Sequence, residues 1–262
     1  MKFFKIIDQI LEVQYFSSVT VKQWKQFQCP SNHSVDCQIR FINKNEMNRD
    51  IEYASIPACE HLMFSGDSLM CADRDYRNIF ISGPDRESAF ETFAAYVFYT
   101  HVVRRKTLWI HSSTIETEGR GILFLGPSGI GKTTQAELWE RYRGASIING
   151  DVGFVQRTEE RYIAWGTPWH GSSPYCINTF VPVKALVVLK QAPVNKLREL
   201  KDFEKIMEVS GSIMYPTWMP DGRELCAETL NHLLSDIPVY RLDNRANLGA
   251  VELLEAELSR IC

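Results

Sequence analysis

A run of small residues between an apolar strand and a helix, Gly126-Pro127-Ser128-Gly129-Ile130-Gly131-Lys132-Thr133, constrains this chain more than any other segment. It satisfies GxxxxGK[ST], with "GILFL" before it and a helix-forming stretch from Lys132 onward. Gly126, Gly129 and Gly131 permit turns that a Cβ would obstruct, so successive backbone N–H groups can converge on phosphate oxygens at a helix N-terminus. The pattern gives Lys132 the reach to contact β- and γ-phosphates and lets Thr133 offer a hydroxyl to Mg2+, with Ser128 and Thr134 adding lesser hydrogen bonds. A glycine-rich turn with no ligand is the alternative, and it leaves the charge of Lys132 without a purpose.

Around this loop the hydrophobic period changes along the chain. Residues 1–105 carry aromatic and β-branched runs such as "CQIRFI" and "RNIFISG", broken by polar stretches such as "NKNEMNRD" at 43–50. They read as a β-rich region with irregular connections, closing on a helix. In that helix Asp85 is positioned to cap, Phe90, Phe93, Ala94 and Val97 share a face, and Arg104, Arg105 and Lys106 form a solvated end favoured by the helix dipole. Residues 106–262 alternate strand and helix: "TLWIHSSTIE", "GRGILFLG", a helix over 132–142, "ASIING", a hairpin turning at 158–160, the central strand "KALVVLK", and two amphipathic helices flanking "VYRL". This alternation predicts an α/β P-loop domain with a mixed sheet, preceded by a smaller β-rich region.

Composition narrows the partners. The 262 residues are 45% hydrophobic and carry a formal charge of −3, so no broad basic field exists for a nucleic-acid backbone. Asp8 interrupts the N-terminal apolar run before it reaches signal-peptide length, and the apolar segment 88–103 contains Glu91 and His101 and is too short to span a bilayer. Seven scattered cysteines without a CxxC pair suit reduced thiols. A cytoplasmic protein that binds neither nucleic acid nor membrane is expected.

A metal-bound nucleotide needs a carboxylate, and "ASIINGDVGF" supplies Asp151 at the end of an apolar strand. A plain turn residue between Gly150 and Gly153 is the other reading of Asp151. After the hairpin, "WGTPWHGSS" brings together His170, the hydroxyls of Ser172 and Ser173, and two tryptophans. Trp165 and Trp169 either form a stacking wall for a ligand or cover the edge of the core. His111 and His170 are candidates for moving a proton, because an imidazole titrates near neutral pH; each is equally readable as a structural hydrogen-bonding residue. Near the C-terminus Arg241 and Arg245 flank Asn244 as surface or phosphate-sensing arginines, and Asn247 is placed to cap the last helix.

The order His111, Gly119-x-Gly121, the loop 126–133, Gly144 and Asp151 resembles the catalytic domain of HPr kinase/phosphorylase, and more distantly the nucleotide-binding half of ATP-dependent phosphoenolpyruvate carboxykinase. The likeness is detailed from His111 to Asp151 and covers the last 155 or so residues in outline. It implies that residues 126–134 hold ATP, that Lys132 and Thr133 serve ATP and Mg2+, that Asp151 is the metal-side member of an acidic pair, and that His111 lies near the transferred phosphate. The family's first acid, credited with taking the acceptor's proton, falls on Gly150, and its later signature is replaced by the segment 165–173.

The resemblance implies an ATP-dependent kinase acting on a hydroxyl of a protein, peptide or small molecule, with catalytic candidates His111, Lys132, Asp151 and His170. The branch that tailors peptide natural products fits as well as HPr itself. Two alternatives stand beside it: an ATP-binding partner or regulatory module that lost catalysis at Gly150, and a carboxykinase-type enzyme, for which extra metal ligands and an arginine-lined carboxylate site are not visible. A homo-oligomer is compatible with the sequence.

Overall fold

The computed structural model describes residues 1–14, 22–31, 33–42 and 59–260; the polar stretch 43–50 lies outside them. The chain packs as two compact units, Met1–His101 and Val102–Cys262.

The first unit opens with a hairpin. Strands β1 (Lys2–Ile6) and β2 (Gln9–Gln14) pair antiparallel from Lys2 opposite Val13 to Ile6 opposite Gln9. Ile7 and Asp8 make the turn, with Ile7 in the left-handed region at φ 58°. Asp8 breaks the apolar run because the chain reverses there. Among the described residues, strands β3 (Cys37–Phe41), β4 (His61–Ser65), β5 (Ser68–Ala72) and β6 (Asn78–Ser82) complete a six-stranded sheet in the order β1-β2-β3-β6-β5-β4. The pairings of β2 with β3 and β3 with β6 are parallel, and the outer ones antiparallel. Cys59 and Cys71 are joined by a disulfide at this outer hairpin, against the expectation of reduced thiols throughout. Hairpin pairing brings together cysteines twelve positions apart, a proximity that spacing alone does not disclose; among the described residues Cys29, Cys37, Cys176 and Cys226 form no disulfide.

Helix α1 (Arg86–Val102) begins where the Asp85 carboxylate accepts hydrogen bonds from the N–H groups of Glu87 and Ser88, each at 3.1 Å. Phe90, Phe93, Ala94 and Val97 are buried as the periodicity predicts, but so are Ala89, Ala95, Phe98 and Tyr99, so burial extends well beyond one stripe. Trp24 packs edge-on to Phe4 and tilted against Phe90, and donates its indole N–H to Glu91 at 2.7 Å. Burial raises the Glu91 carboxyl from its ordinary 4.5 to about 7, against the opposing pull of that hydrogen bond.

The second unit is built on β7 (Thr107–Thr117), β8 (Arg120–Leu125), α2 (Lys132–Arg143), β9 (Ser146–Asn149), β10 (Val152–Arg157), β11 (Tyr162–Trp165) and β12 (Phe180–Gln191). There follow β13 (Lys196–Glu199), α3 (Phe203–Val209), β14 (Ile213–Met214), α4 (Gly222–Asp236), β15 (Val239–Asn244) and α5 (Leu248–Leu258). Among the described residues the sheet runs β11-β10-β7-β8-β12-β15-β13, with β9 and β14 also paired to β7. Because β11 pairs with the start of β12 as well, β7, β8, β12, β11 and β10 close into a ring. The strands β8, β12 and β15 are parallel and end at the same edge.

One face of this sheet carries α2 and α5. Ile115, Ile122, Phe124, Val187 and Leu242 form its core with Ala136 and Trp139 of α2 and Val251 and Leu254 of α5. Asn247 caps α5 by accepting from the Ala250 N–H at 3.3 Å. Gly119, at φ 73°, shapes the turn between β7 and β8, and a Cβ on Gly121 would lie 2.7 Å from Val181 Cγ1. Both glycines therefore serve strand packing, at the end of β8 away from the loop 126–131. Arg104, Arg105 and Lys106 are exposed, and Arg104 forms a bidentate pair with Asp221 at 2.6 and 3.0 Å. None of the described helices is long and apolar enough to cross a membrane.

The raised Glu91 carboxyl predicts a pH-dependent stability of the first unit. An acid whose folded pKa lies above its unfolded value stabilises fully below about 4.5, and that contribution is lost as pH rises through about 7. The isosteric Glu91→Gln variant should gain on wild type by on the order of 2 kcal/mol between pH 5 and pH 8. Thermal melts across that range check it; parallel pH profiles would refute it.

Candidate functional site

The residues 126–131 leave β8 and enter α2 through three left-handed glycines, Gly126 at φ 138°, Gly129 at 77° and Gly131 at 109°. No side chain caps the start of α2, so its first N–H groups remain for an anion. Lys132 is only 7% exposed, and its ammonium donates to the carbonyls of Gly126 at 3.1 Å and Pro127 at 3.4 Å. Its third neighbour is the Asp151 carboxylate, at 3.6 Å from Oδ1. The hydroxyl of Thr133 donates to the Gly150 carbonyl at 3.3 Å. The loop and the acidic turn, seventeen or more positions apart in sequence, are thus bonded side by side.

Asn149, fully buried, fixes that turn from behind. Its Oδ1 accepts from the N–H groups of Asp151 at 3.1 Å and Val152 at 2.9 Å, and its Nδ2 donates to the carbonyls of Thr167 at 3.3 Å and Trp169 at 2.7 Å. One amide therefore joins the Asp151 turn to the segment after β11. That segment folds over the turn: Gly171, at φ 59°, lies so close that a Cβ there would overlap the Asp151 carboxylate. Beside it His170 Nδ1 bonds the Ser173 carbonyl. A carbonyl only accepts, so Nδ1 carries the proton and the neutral ring's lone pair is on Nε2.

Ser173 is 6% exposed and occupies the place where a side chain at position 150 would stand. A Cβ on Gly150 would fall on its Oγ and Cβ. The Ser173 hydroxyl accepts from the Tyr175 N–H at 3.2 Å, and Gly150 N–H donates to the Tyr175 carbonyl at 3.1 Å. Gly150 is consequently no vacant slot that an aspartate could simply refill, as the sequence alone suggests; a larger residue must first displace Ser173.

His111 lies on β7 opposite Val152, and the next residue, Ser112, donates its N–H to the Asp151 carbonyl at 3.1 Å. Strand alternation sets His111 on the same face as Ser113 and Ile115, the face covered by α2. His111, Lys132, Thr133, Asp151 and His170 are therefore borne by elements that meet at one edge of the sheet. The tryptophans behave otherwise. Trp169 is 6% exposed and packs on Phe154, so it closes the core and walls no ligand space. Trp165 is half-buried against Phe180, with ring centroids 5.1 Å apart. Arg241 is engaged with Asp243 at 2.9 Å and Glu208 at 3.5 Å, while Arg245 lines an open cleft beside Gly129–Gly131.

The Thr133 hydroxyl and Asp151 carboxylate are oxygen donors, and among the described residues no group of three or more His, Cys, Asp or Glu gathers as a metal cage. Such a pair fits Mg2+, which takes one or two carboxylates and completes its octahedron with phosphate oxygens and water. Sequence reasoning missed Asn149, and it named the Ser173 hydroxyl without its place against Gly150. The Asn-Gly pair at 149–150 carries a turn signal, but the other half of the contact lies about twenty positions downstream.

A glycine-rich loop leading into an uncapped helix, at the carboxyl ends of parallel strands, defines a P-loop-type α/β domain. No protein-family model matches the chain. Among curated proteins, the HPr kinase/phosphorylase of Mycoplasmopsis pulmonis (strain UAB CTIP) is 28% identical over 112 residues, covering 38% of this chain and 34% of that protein. The HPr kinase/phosphorylase of Brevibacillus brevis (strain 47 / JCM 6285 / NBRC 100599) is 24% identical over 152 residues, covering 57% and 46%. The aligned stretch thus spans a third to a half of those relatives. Among solved structures, the Hpr(Ser) kinase/phosphatase from Coxiella burnetii shares 12% identity at a TM-score of 0.34, covering 58% of this chain and 92% of that one. The chain carries an HPr kinase-like domain.

Two outcomes check this geometry. Replacing Asn149 by alanine leaves two N–H groups and two carbonyls without their partner, and should cost about 3 kcal/mol in urea denaturation while loosening residues 167–173 in hydrogen exchange. Gly150→Ala should destabilise through its overlap with Ser173. The double variant Gly150→Ala/Ser173→Gly should recover at least about 1 kcal/mol of that loss, and additive effects would refute the steric coupling.

Proposed function

We propose that this domain transfers the γ-phosphoryl group of ATP to a hydroxyl carried by a protein, a peptide or a small molecule. The observation that carries the reading is the meeting of Lys132 with Asp151, and of Thr133 with Gly150, beneath the His170–Gly171 turn. The Lys132 ammonium is held by its own loop and by Asp151. A bound triphosphate offers it stronger, anionic partners.

Residues 126–134 hold the phosphates through backbone N–H groups and Lys132. Thr133 and Asp151 would hold Mg2+, which would supply positive charge against the charge that develops on the transferred group. The acceptor oxygen forms a bond to the γ-phosphorus as the bond to the β-bridging oxygen breaks, and ADP leaves. The acceptor's proton passes to His170 Nε2, since Nδ1 already holds a proton on the Ser173 carbonyl. This assignment gives the proton a destination although position 150 carries no acid. His111, on the α2 side of β7, is a hydrogen-bond donor to the transferred group. Phosphoryl transfer depends mostly on positioning and electrostatics, so replacing a carboxylate base by an imidazole is chemically sufficient.

The second reading is an ATP-binding module without turnover. It is favoured by one feature, the closure of the position-150 side-chain space by Ser173.

Incubation with Mg-ATP and a peptide library or cell extract, followed by mass spectrometry for phosphorylated product, separates the two. Wild type should form product, Lys132→Ala should lose it by at least about a hundredfold, and His170→Gln should lose about a hundredfold in kcat while retaining ATP affinity. Lys132-dependent ATP binding with no product across the panel supports the module; absence of ATP binding overturns both.

A further inference from the structure

Where β7 turns into β8, at the end of the sheet away from the phosphate loop, a cavity of ≈ 410 Å3 opens between the last turns of α2 and α5. Arg143 at its rim lies about 17 Å along α2 from Lys132, so the cavity is no part of the phosphate site. Pockets that hold small molecules begin at about 300 Å3, and this one is large enough for such a ligand.

Its inner wall is apolar, formed by the buried Ile122, Trp139 and Leu258. One polar atom interrupts that wall. The Trp139 indole N–H is buried and has no hydrogen-bond acceptor among the described residues. A tryptophan enclosed to this degree ordinarily finds one, because a buried donor left unpaired is destabilising.

The rim is charged, with both signs present. Arg143 is spent on Glu255, a bidentate pair at 2.5 and 2.7 Å that clasps α2 to α5. Glu116 gives one oxygen to the Gly119 N–H at 2.7 Å and so fixes the turn. On that turn Glu118 and Arg120 are exposed, and neither forms an ion pair among the described residues. The mouth of the cavity therefore presents an uncompensated acid and an uncompensated base beside an apolar wall with an unused donor.

We propose that this cavity binds a free α-amino acid with a large apolar side chain. The ligand's carboxylate pairs with Arg120 and accepts from the Trp139 N–H, its ammonium pairs with Glu118, and its side chain lies on Ile122 and Leu258. A guanidinium receives a carboxylate through two parallel hydrogen bonds, which makes Arg120 the stronger of the two charged contacts. Both signs are needed for recognition: an apolar anion sets its carboxylate beside Glu118, and an apolar cation sets its ammonium beside Arg120. The site stands apart from the proposed phosphoryl transfer, since none of its residues belongs to the loop 126–134 or to the Asp151 turn.

Calorimetric titration of the full chain with four probes tests this: L-phenylalanine, L-phenylalaninamide without the carboxylate, 3-phenylpropionate without the ammonium, and glycine without the apolar side chain. Wild type should bind L-phenylalanine with a Kd of about 1 mM or tighter, and each of the others at least about tenfold more weakly. Arg120→Gln and Glu118→Gln, both at exposed positions that leave the buried wall intact, should each weaken L-phenylalanine by about tenfold. In proton–nitrogen correlation spectra the one indole signal missing from Trp139→Phe should shift when L-phenylalanine is added to wild type. Binding weaker than this, equal affinity for any of the three other probes, an unchanged affinity in either exposed variant, or an unmoved Trp139 signal would each overturn the proposal.

Discussion

Four hydrogen bonds to one buried amide, that of Asn149, hold the candidate site together. Backbone groups buried away from water must be paired, and the chain on either side of Asp151 leaves the β-ladder just where it needs partners. Asn149 satisfies the turn with its oxygen and the segment after β11 with its nitrogen. Only an amide does both, because it combines acceptor and donor on one short, rigid side chain. The position of His170 above the acidic turn follows from that pairing. So does the closure of the Gly150 space by Ser173.

The ring closed by β7, β8, β12, β11 and β10 explains why this contact is available. β11 pairs with the start of β12, so the segment between them cannot extend outward and instead crosses the sheet edge near β9. There Gly166 N–H bonds the Thr179 carbonyl and Ile177 N–H bonds the Ile148 carbonyl, while Tyr175 reaches Glu137 on α2 at 3.1 Å. The segment is pinned at both ends and in the middle. A pre-fixed lid of this kind lowers the ordering cost of assembling reactive groups, since their geometry is set on folding.

Much of the architecture was legible in the sequence because it depends on local chemistry. Three glycines before a lysine demand a left-handed loop, Asp85 and Asn247 cap the helices they precede, and the apolar runs 121–125 and 184–190 lie in strands. Less legible were features that depend on what a residue meets across the fold. Trp165 and Trp169 are alike in sequence, yet only Trp169 is enclosed, against Phe154. Gly119 and Gly121 enter the family resemblance by their spacing alone, and the fold shows what they do locally: one makes the turn and the other admits Val181. Cys59 and Cys71 have unremarkable spacing and are brought together by a hairpin.

By itself the sequence determined that a phosphate-shaped loop stands between a strand and a helix, since glycine conformations and strand-helix periodicity are properties of neighbouring residues. Its resemblance to HPr kinase/phosphorylase implies, too, that one acid of that family's pair falls on Gly150. Only the tertiary structure decided what that glycine means: Ser173 fills its side-chain space, and the same residue's carbonyl orients His170. That relation joins positions more than twenty apart through steric exclusion and one hydrogen bond, and it exists only once β11 and β12 have folded the intervening chain back over Asp151.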